Sequence, residues 1–290
     1  AAGGLVQRFM GLEAGIFQKE GRNGMMSERS RILAMLQPEA MPGSYLNQGR
    51  RFPEIAANLM AEARQLAEIG YDGFILQNMH DGPLRQQAQP QTLTFMTALA
   101  VTLRKTFPDK LLGILVNWDG VASLAVAEAA QADFIRVEYL YTGLSVSLCG
   151  LVEGQCAEIL ELKKKLGSTM PVYADAQEVS GHFLGAPDKI EEAVRIVQRA
   201  YADGLFLSGK DQQESLALLE KLRPKLPQTP VILGGRATGD NIYELMKVYD
   251  GVSVATWIKD GDMRNPVNLD KARFFYNEAR RGWLARKNHG

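Results

Sequence analysis

The sequence predicts one (β/α)8 TIM barrel with a short N-terminal helical arm, and three observations support this fold class. Apolar runs such as Val231-Ile232-Leu233 alternate with segments of helical periodicity, as in a parallel sheet covered by helices on both faces. Eight such strand–helix pairs are present. The 290 residues, 46% of them hydrophobic, fit one barrel of about 250 residues. A doubly wound open sheet ranks second, because the first strand lacks a Gly-x-Gly-x-x-Gly turn.

The chain divides into three expected regions: an arm (1–28), the barrel (29–285) and a tail (286–290). Apolar residues recur at helix-like spacing along the arm: Leu5, Phe9, Leu12, Ile16 and Phe17. The breaker Gly21-Arg22-Asn23-Gly24 follows them. We expect this helix to plug one end of the barrel or to pack on a partner subunit, and we expect a homo-oligomer.

Each predicted strand is a short apolar run preceded by a turn or a helix end. The eight strands are Ile32 to Leu36, Asp72 to Asn78, Leu111 to Asn117, Asp133 to Glu138, Val172 to Asp175, Gly204 to Ser208, Pro230 to Gly234 and Gly251 to Thr256. The segments between and after them show apolar residues at helical spacing. They predict helices over about 91–106, 121–131, 153–166, 188–202, 213–223 and 268–281. The first helix carries Ile55 to Ala67 and is closed by Gly70, and the seventh is capped by Asp240 or Asn241 and carries Ile242 to Tyr249.

A short sequence echo supports the count of eight strands. An aspartate joins a helix end to an apolar strand before strands 2, 4, 6 and 8, at Asp72, Asp133, Asp203 and Asp250. Odd strands instead follow a proline or a polar turn, as in Met170-Pro171-Val172. This alternation predicts a barrel assembled from βαβα quarter units.

Composition excludes several classes of function. Lys plus Arg (33) equals Asp plus Glu (33), so no net charge favours nucleic acid or an anionic membrane. The two cysteines, Cys149 and Cys156, are predicted to be free thiols of a reducing compartment. No apolar run approaches the roughly 20 residues of a membrane span. We therefore expect a cytoplasmic protein without a transmembrane segment.

Polar residues near the carboxyl ends of the strands are the candidate catalytic groups, because barrel active sites lie there. Period-two alternation places Asn78 with His80, Asn117 with Asp119, Arg136 with Glu138, and Asp175 with Gln177. In one interpretation, Asp175 or Glu138 is a general base and Arg136 orients it or a substrate anion. In the other, favoured interpretation, Arg136 forms structural ion pairs with these carboxylates.

His80 is the only histidine near a strand end, and it completes the set of candidate catalytic residues. A two-histidine metal site would have to recruit His182 from the loop after strand 5. No metal and no cofactor are predicted.

Glycines after strand 7 and the end of strand 8 are where many barrels bind phosphate through backbone N–H groups. Gly234, Gly235, Arg236 and Thr256 are the matching positions. The alternative is that Gly234-Gly235 is only a tight strand-to-helix turn. The complete set of candidate ligand-binding residues is Asn78, Asp81, Asn117, Gln177, Ser208, Gly234, Gly235, Arg236, Thr256, Lys259 and Asp260.

Several segments in order resemble the BtpA/SgcQ family of predicted barrel proteins. They are Leu36 to Ser44, Asp72 to Pro83 (DGFILQNMHDGP), Phe134 to Val137, Gly150 to Gly154, Tyr173 to Asp175 and Val254 to Asp262 (VATWIKDGD). The resemblance implies the barrel fold, and either a role in photosystem I biogenesis or a nucleosidase-like activity. Family positions that match are Asn78, Asp81, Arg136, Asp175, Thr256, Lys259 and Asp260.

The departures from the family pattern fall on polar positions. Gln37 stands where the family usually has histidine, and Gln77 where it often has glutamate. Glutamine cannot transfer protons, so three hypotheses follow. The chain is an enzyme that hydrolyses or isomerises a small phosphorylated sugar, nucleoside or nucleotide. It is a diverged barrel that binds such an anionic ligand without turnover, or an assembly factor that acts through its surface.

Overall fold

Eight parallel strands close into a barrel in the computed structural model, which describes residues 30–138, 141–147, 150–177, 182–184 and 188–287. In these ranges the strands are β1 (Ile32–Leu36), β2 (Gly73–Gln77), β3 (Leu111–Leu115), β4 (Phe134–Val137), β5 (Leu144–Ser147), β6 (Gly150–Glu153), β7 (Val172–Asp175), β8 (His182–Phe183), β9 (Gly204–Phe206), β10 (Val231–Leu233) and β11 (Gly251–Val254). The order around the barrel is β1-β2-β3-β4-β7-β9-β10-β11, and β11 pairs with β1. The predicted fold class is confirmed.

The predicted arm, residues 1–28, and Cys149 lie outside the described residues. Apart from Ser30, the described residues belong to one structural unit, Arg31–Gly290. The helices of the described ranges are α1 (Phe52–Ile69), α2 (Pro90–Thr106), α3 (Gly120–Ala130), α4 (Cys156–Leu166), α5 (Lys189–Gln198), α6 (Gln212–Leu222), α7 (Ile242–Met246) and α8 (Leu269–Lys287). None of them combines the length and apolar content that crossing a membrane requires.

The aspartates of the sequence echo have a common structural role. Each accepts a hydrogen bond of 2.8 Å from a backbone N–H at or beside the start of the barrel strand that comes before it in the sequence. The pairs are Asp72 with Ile32, Asp133 with Leu112, Asp203 with Val172, and Asp250 with Val231. Each carboxylate gives a hydrogen-bond partner to a backbone N–H group at the start of a barrel strand. One such aspartate therefore serves each pair of neighbouring barrel strands, which matches the spacing of the echo.

The barrel interior is a small core of its own, separate from the larger core between strands and helices. Its members come from all of the barrel strands except β11: Leu33, Met35, Ile75, Leu115, Phe134, Tyr173, Phe206 and Ile232. The ring of Phe134 occupies the space that a side chain at Gly113 would need, because a Cβ there would lie 2.4 Å from the ring. These apolar layers close the barrel below its carboxyl-terminal mouth.

Three differences from the predicted elements concern α4, α5 and α8. Helix α4 begins at Cys156, so the predicted start at 153 is wrong. The preceding residues instead form an antiparallel hairpin, β5–β6, to which β8 adds a third strand. The alternation Leu144-Ser145-Val146-Ser147 is the period-two signal of this hairpin. Helix α5 ends at Gln198 and α8 continues to Lys287, so the predicted ends at 202 and 281 are also wrong.

Candidate functional site

The mouth of the barrel carries a continuous row of hydrogen-bonded polar side chains. Gln37 Nε2 donates to Gln77 Oε1 at 2.7 Å, and Gln77 Nε2 donates to Glu138 Oε2 at 3.1 Å. Asn117 Nδ2 donates to the same carboxylate oxygen at 2.9 Å. Alternation along the strands turns these side chains to one face, so four neighbouring strands contribute to the row. Glu138 is thereby held in one orientation by two amides.

Arg136 and Asp175 form a buried, bidentate ion pair beside this row. Arg136 Nε and Nη2 each donate to a carboxylate oxygen of Asp175 at 2.8 Å. Nη2 also lies 3.4 Å from Glu138 Oε1, and the guanidinium carbon lies 4.3 Å from the centre of the Phe206 ring. The favoured interpretation of these charges as an ion-pair network agrees with this geometry.

Three members of the row, Gln37, Gln77 and Glu138, line a large cavity of about 710 Å³. Its lining includes Met35 and Ser253 from the barrel interior and Trp257 from the loop after β11. Ser253 is 4% exposed, and its Oγ has no hydrogen-bond partner among the described residues. The charged lining residues are three cations and two carboxylates: Arg136, Arg236, Lys271, Glu138 and Asp260. Asp175 pairs with Arg136 and Asp260 pairs with Lys271, so Arg236 is the lining cation that has no ion pair among the described residues.

Gly234, Gly235 and Arg236 form the turn after β10 at the edge of this cavity. A Cβ on Gly234 would lie 3.2 Å from the Phe206 ring and 3.3 Å from Arg136 Nη2. Arg236 has a φ of 61°, a left-handed conformation that is uncommon outside glycine. Its guanidinium has no ion pair within the described residues. The turn thus makes room for Arg136 and places a second, exposed cation at the rim.

A crevice of about 60 Å³ shares Arg136, Gly234, Gly235 and Arg236 with the large cavity. It adds three other candidates to the lining: Asp175, Gln177 and Ser208. Asp175 therefore faces the crevice, whereas Glu138 faces the large cavity.

Asn117, a member of the row, also lines a different cavity of about 600 Å³ together with Asn78 and Asp81. Asn78 Oδ1 accepts a hydrogen bond from Asn117 N at 2.7 Å, and its Nδ2 donates to Asp81 at 3.3 Å. Asp81 also accepts from the backbone N–H of Met41 at 2.8 Å. Burial raises the pKa of Asp81 above its ordinary value, and these hydrogen bonds oppose the increase. The three residues connect the loops that follow β1, β2 and β3.

His80 and Lys259 line a third space, the side cavity, of about 570 Å³ between α1 and the loops that follow β1 and β11. The Lys259 side chain is 2% exposed, and its Nζ lies 2.9 Å from Glu62 Oε1. The pKa of Glu62 is raised because burial outweighs the attraction of Lys259. The pKa of His80 is lowered by burial and by the positive charge of Lys259. Neither residue lines the cavity that contains Glu138.

Thr256 and Asp260 do line the large cavity. Asp260 accepts hydrogen bonds of 3.1 Å from Asn268 and pairs with Lys271 at 2.8 Å. The hydrogen bond from Lys271 holds the pKa of Asp260 below its ordinary value. Within the described ranges, no group of His, Cys, Asp or Glu side chains is arranged to hold a metal.

The structure adds site residues that the sequence did not single out as ligands. Gln37 and Gln77 join the row, and Lys271 and Ser253 line the cavity. Alternation identifies the two glutamines, because each lies two residues beyond a buried interior residue, Met35 or Ile75. No local pattern marks Lys271, which reaches the mouth from the first turn of a helix.

Comparison of the sequence with known proteins identifies the family of this chain. The model of the BtpA family matches residues 28–281, which is most of the chain. The chain belongs to the BtpA family. The resemblance found in the sequence segments is thereby confirmed.

Relatives in the BtpA family extend over most of the chain. An uncharacterized protein of Thermococcus kodakarensis is 33% identical over 252 residues, which are 85% of this chain and 94% of that protein. The photosystem I biogenesis protein BtpA of Synechocystis is also 33% identical, over 202 residues that are 68% of this chain and 70% of that protein.

Solved structures support the fold of this BtpA-family chain. The 3-hexulose-6-phosphate synthase of Salmonella typhimurium superposes with a TM-score of 0.53 at 16% identity, covering 88% of this chain and 99% of that one. The N-(5'-phosphoribosyl)anthranilate isomerase of Pyrococcus furiosus gives 0.52 at 14% identity, covering 87% and 99%. At these identities the likeness concerns the barrel fold alone.

Proposed function

We propose that the barrel mouth binds a small phosphorylated sugar, nucleoside or nucleotide. The observation that carries this proposal is Arg236, a cation with no ion pair among the described residues, at the rim of the large cavity. A phosphate group would supply an anionic partner for Arg236, and guanidinium groups recognise phosphate through two parallel hydrogen bonds. Solved barrels with this fold include enzymes whose names specify phosphorylated sugars.

The same geometry favours Glu138 over Asp175 as the acid–base group of any reaction at this site. Glu138 lines the large cavity, where a ligand has room, and two amides orient its carboxylate. Asp175 is fully engaged with Arg136 and faces only the small crevice. Asp175 therefore positions Arg136, whereas Glu138 is the group that a substrate reaches.

The binding proposal is tested by titrating inorganic phosphate and ribose 5-phosphate into the wild-type protein and into Arg236→Gln, with calorimetry as the readout. Loss of a charge-assisted contact should weaken binding by about tenfold or more. The exposed Arg199, which lies outside the mouth, supplies the matched control Arg199→Gln. Equal affinity in wild type and Arg236→Gln would contradict the proposed phosphate contact.

One specific observation favours a second function, an assembly role through surface contacts. The Synechocystis relative at 33% identity is named as a photosystem I biogenesis protein. An assembly role of this kind requires no ligand in the mouth. Stabilisation of the fold by a phosphorylated ligand, lost in Arg236→Gln, would support the binding proposal over this one.

A further inference from the structure

Gln37 and Met263 lie between the large cavity at the mouth and the side cavity, because both residues line both spaces. Gln37 Nε2 donates to Gln77 Oε1 at 2.7 Å and to Met263 Sδ at 3.4 Å. The amide–thioether contact therefore closes the partition between a space of about 710 Å³ and one of about 570 Å³.

Met263 is the weak component of this partition. A thioether sulfur is a poor hydrogen-bond acceptor, and methionine has an unbranched, flexible side chain. Gln37, by contrast, is held at its other side by the short hydrogen bond to Gln77. Rotation of Met263 alone would connect the two cavities at little cost in energy.

Gln37 has an unused acceptor at the partition. Its side chain is 7% exposed, and Oε1 has no hydrogen-bond partner among the described residues. The Nε2 contacts with Gln77 and Met263 fix which end of the amide is the oxygen. A buried acceptor without a donor is unfavourable, so an N–H or O–H group that reached Oε1 would be held there.

The side cavity is suited to a bulky group that is mostly apolar. Ile55, Leu59, Pro266 and Val267 supply apolar surface, and the Lys259–Glu62 pair leaves no net charge between those two residues. The mouth, by contrast, holds Arg236, a cation with no ion pair among the described residues. The two spaces therefore suit the two ends of one ligand, an anionic end and an apolar end.

We propose that the ligand is a sugar phosphate with a bulky, mostly apolar substituent that passes Met263 into the side cavity and donates a hydrogen bond to Gln37 Oε1. The chemical class is that of nucleoside 5′-monophosphates rather than of bare sugar phosphates. This inference rests on the proposed function, because the phosphate end occupies the mouth beside Arg236.

The test compares ribose 5-phosphate with the four ribonucleoside 5′-monophosphates by calorimetry on four proteins. Asn58 is exposed on α1 and lines only the side cavity, so Asn58→Trp fills that cavity without touching the mouth. Asn58→Ala is the matched control that leaves the cavity open. Arg236→Gln and the wild-type protein complete the set.

In the wild-type protein at least one nucleotide should bind about tenfold or more tightly than ribose 5-phosphate, because its base is buried in the side cavity. Asn58→Trp should remove that advantage and leave the affinity for ribose 5-phosphate unchanged. Asn58→Ala should behave as wild type, and Arg236→Gln should weaken both ligands.

Two results overturn this inference while the proposed function stands: nucleotides that bind no more tightly than ribose 5-phosphate, or an advantage that persists in Asn58→Trp. Failure of every phosphorylated probe to bind the wild-type protein overturns the proposed function itself, and the inference with it.

Discussion

Arg136 and Asp175 are joined by two hydrogen bonds of 2.8 Å across neighbouring strands of the barrel, β4 and β7. Both side chains are at least nine-tenths buried. The pair therefore fixes the direction of the guanidinium at the floor of the mouth, and its removal should lower the stability of the fold.

Asp175→Asn should lower the free energy of unfolding by about 3 kcal/mol, because it leaves a buried guanidinium with only part of its anionic environment. Urea denaturation measures the change. Arg136→Met combined with Asp175→Leu removes both charges and should recover much of the loss. A single-variant loss below about 1 kcal/mol would show that the pair is dispensable to the fold.

Gly234 and Gly235 should differ sharply in their tolerance of alanine. A Cβ on Gly234 would press on the Phe206 ring and Arg136, whereas a Cβ on Gly235 would lie 3.7 Å from Ser208 Oγ, an ordinary contact. Gly234→Ala should cost about 1–3 kcal/mol by overpacking. Gly235→Ala should cost less than that. Equal unfolding midpoints for the two variants would contradict the geometry of the turn.

Lys259 should behave as a structural partner of Glu62. Lys259→Met leaves the partly buried Glu62 carboxylate without its cation, at a cost of about 3 kcal/mol. In the double variant Lys259→Met, Glu62→Leu no charge remains, and most of the stability should return. If the two substitutions are instead additive in urea denaturation, the residues do not stabilise each other.

His80 should make stability depend on pH in the acidic range. Its pKa in the folded protein lies below the ordinary 6.5, first because of burial and then because of Lys259. Arg264 also lowers that pKa, whereas Met263 and Asp262 raise it. The unfolded chain therefore binds a proton more readily. The stability contribution is present above pH 6.5 and is lost as pH falls through the lower folded pKa.

His80→Gln removes this titration and should flatten the dependence. Unfolding free energies of both proteins, measured from about pH 8 to about pH 5, supply the comparison. A wild-type curve that parallels the His80→Gln curve over this range would exclude His80 as the source of the pH dependence.

Local patterns were sufficient to predict the barrel, most of its elements and part of the mouth. Alternation along the strands predicts that Arg136 and Glu138 point to the same face, and that Asp175 lies at the end of the next barrel strand. This is possible because side-chain direction follows from position within a strand. The hairpin β5–β6 is not among the predicted elements, although Leu144 to Ser147 carries the period-two pattern. The regular succession of strand–helix pairs predicts an earlier start of α4 in place of this short additional sheet.

The sequence by itself determined the repeating βαβα unit, since the aspartates before even strands, the apolar runs and the helix ends are local features. Only the tertiary structure decided how the mouth is divided. Lys259 meets Glu62 across 197 positions of sequence and turns away from the cavity that Thr256 and Asp260 line. Gln37 meets Met263 across 226 positions to form the partition. Such contacts depend on how the loops pack over the closed barrel, and no periodicity along the chain encodes that packing.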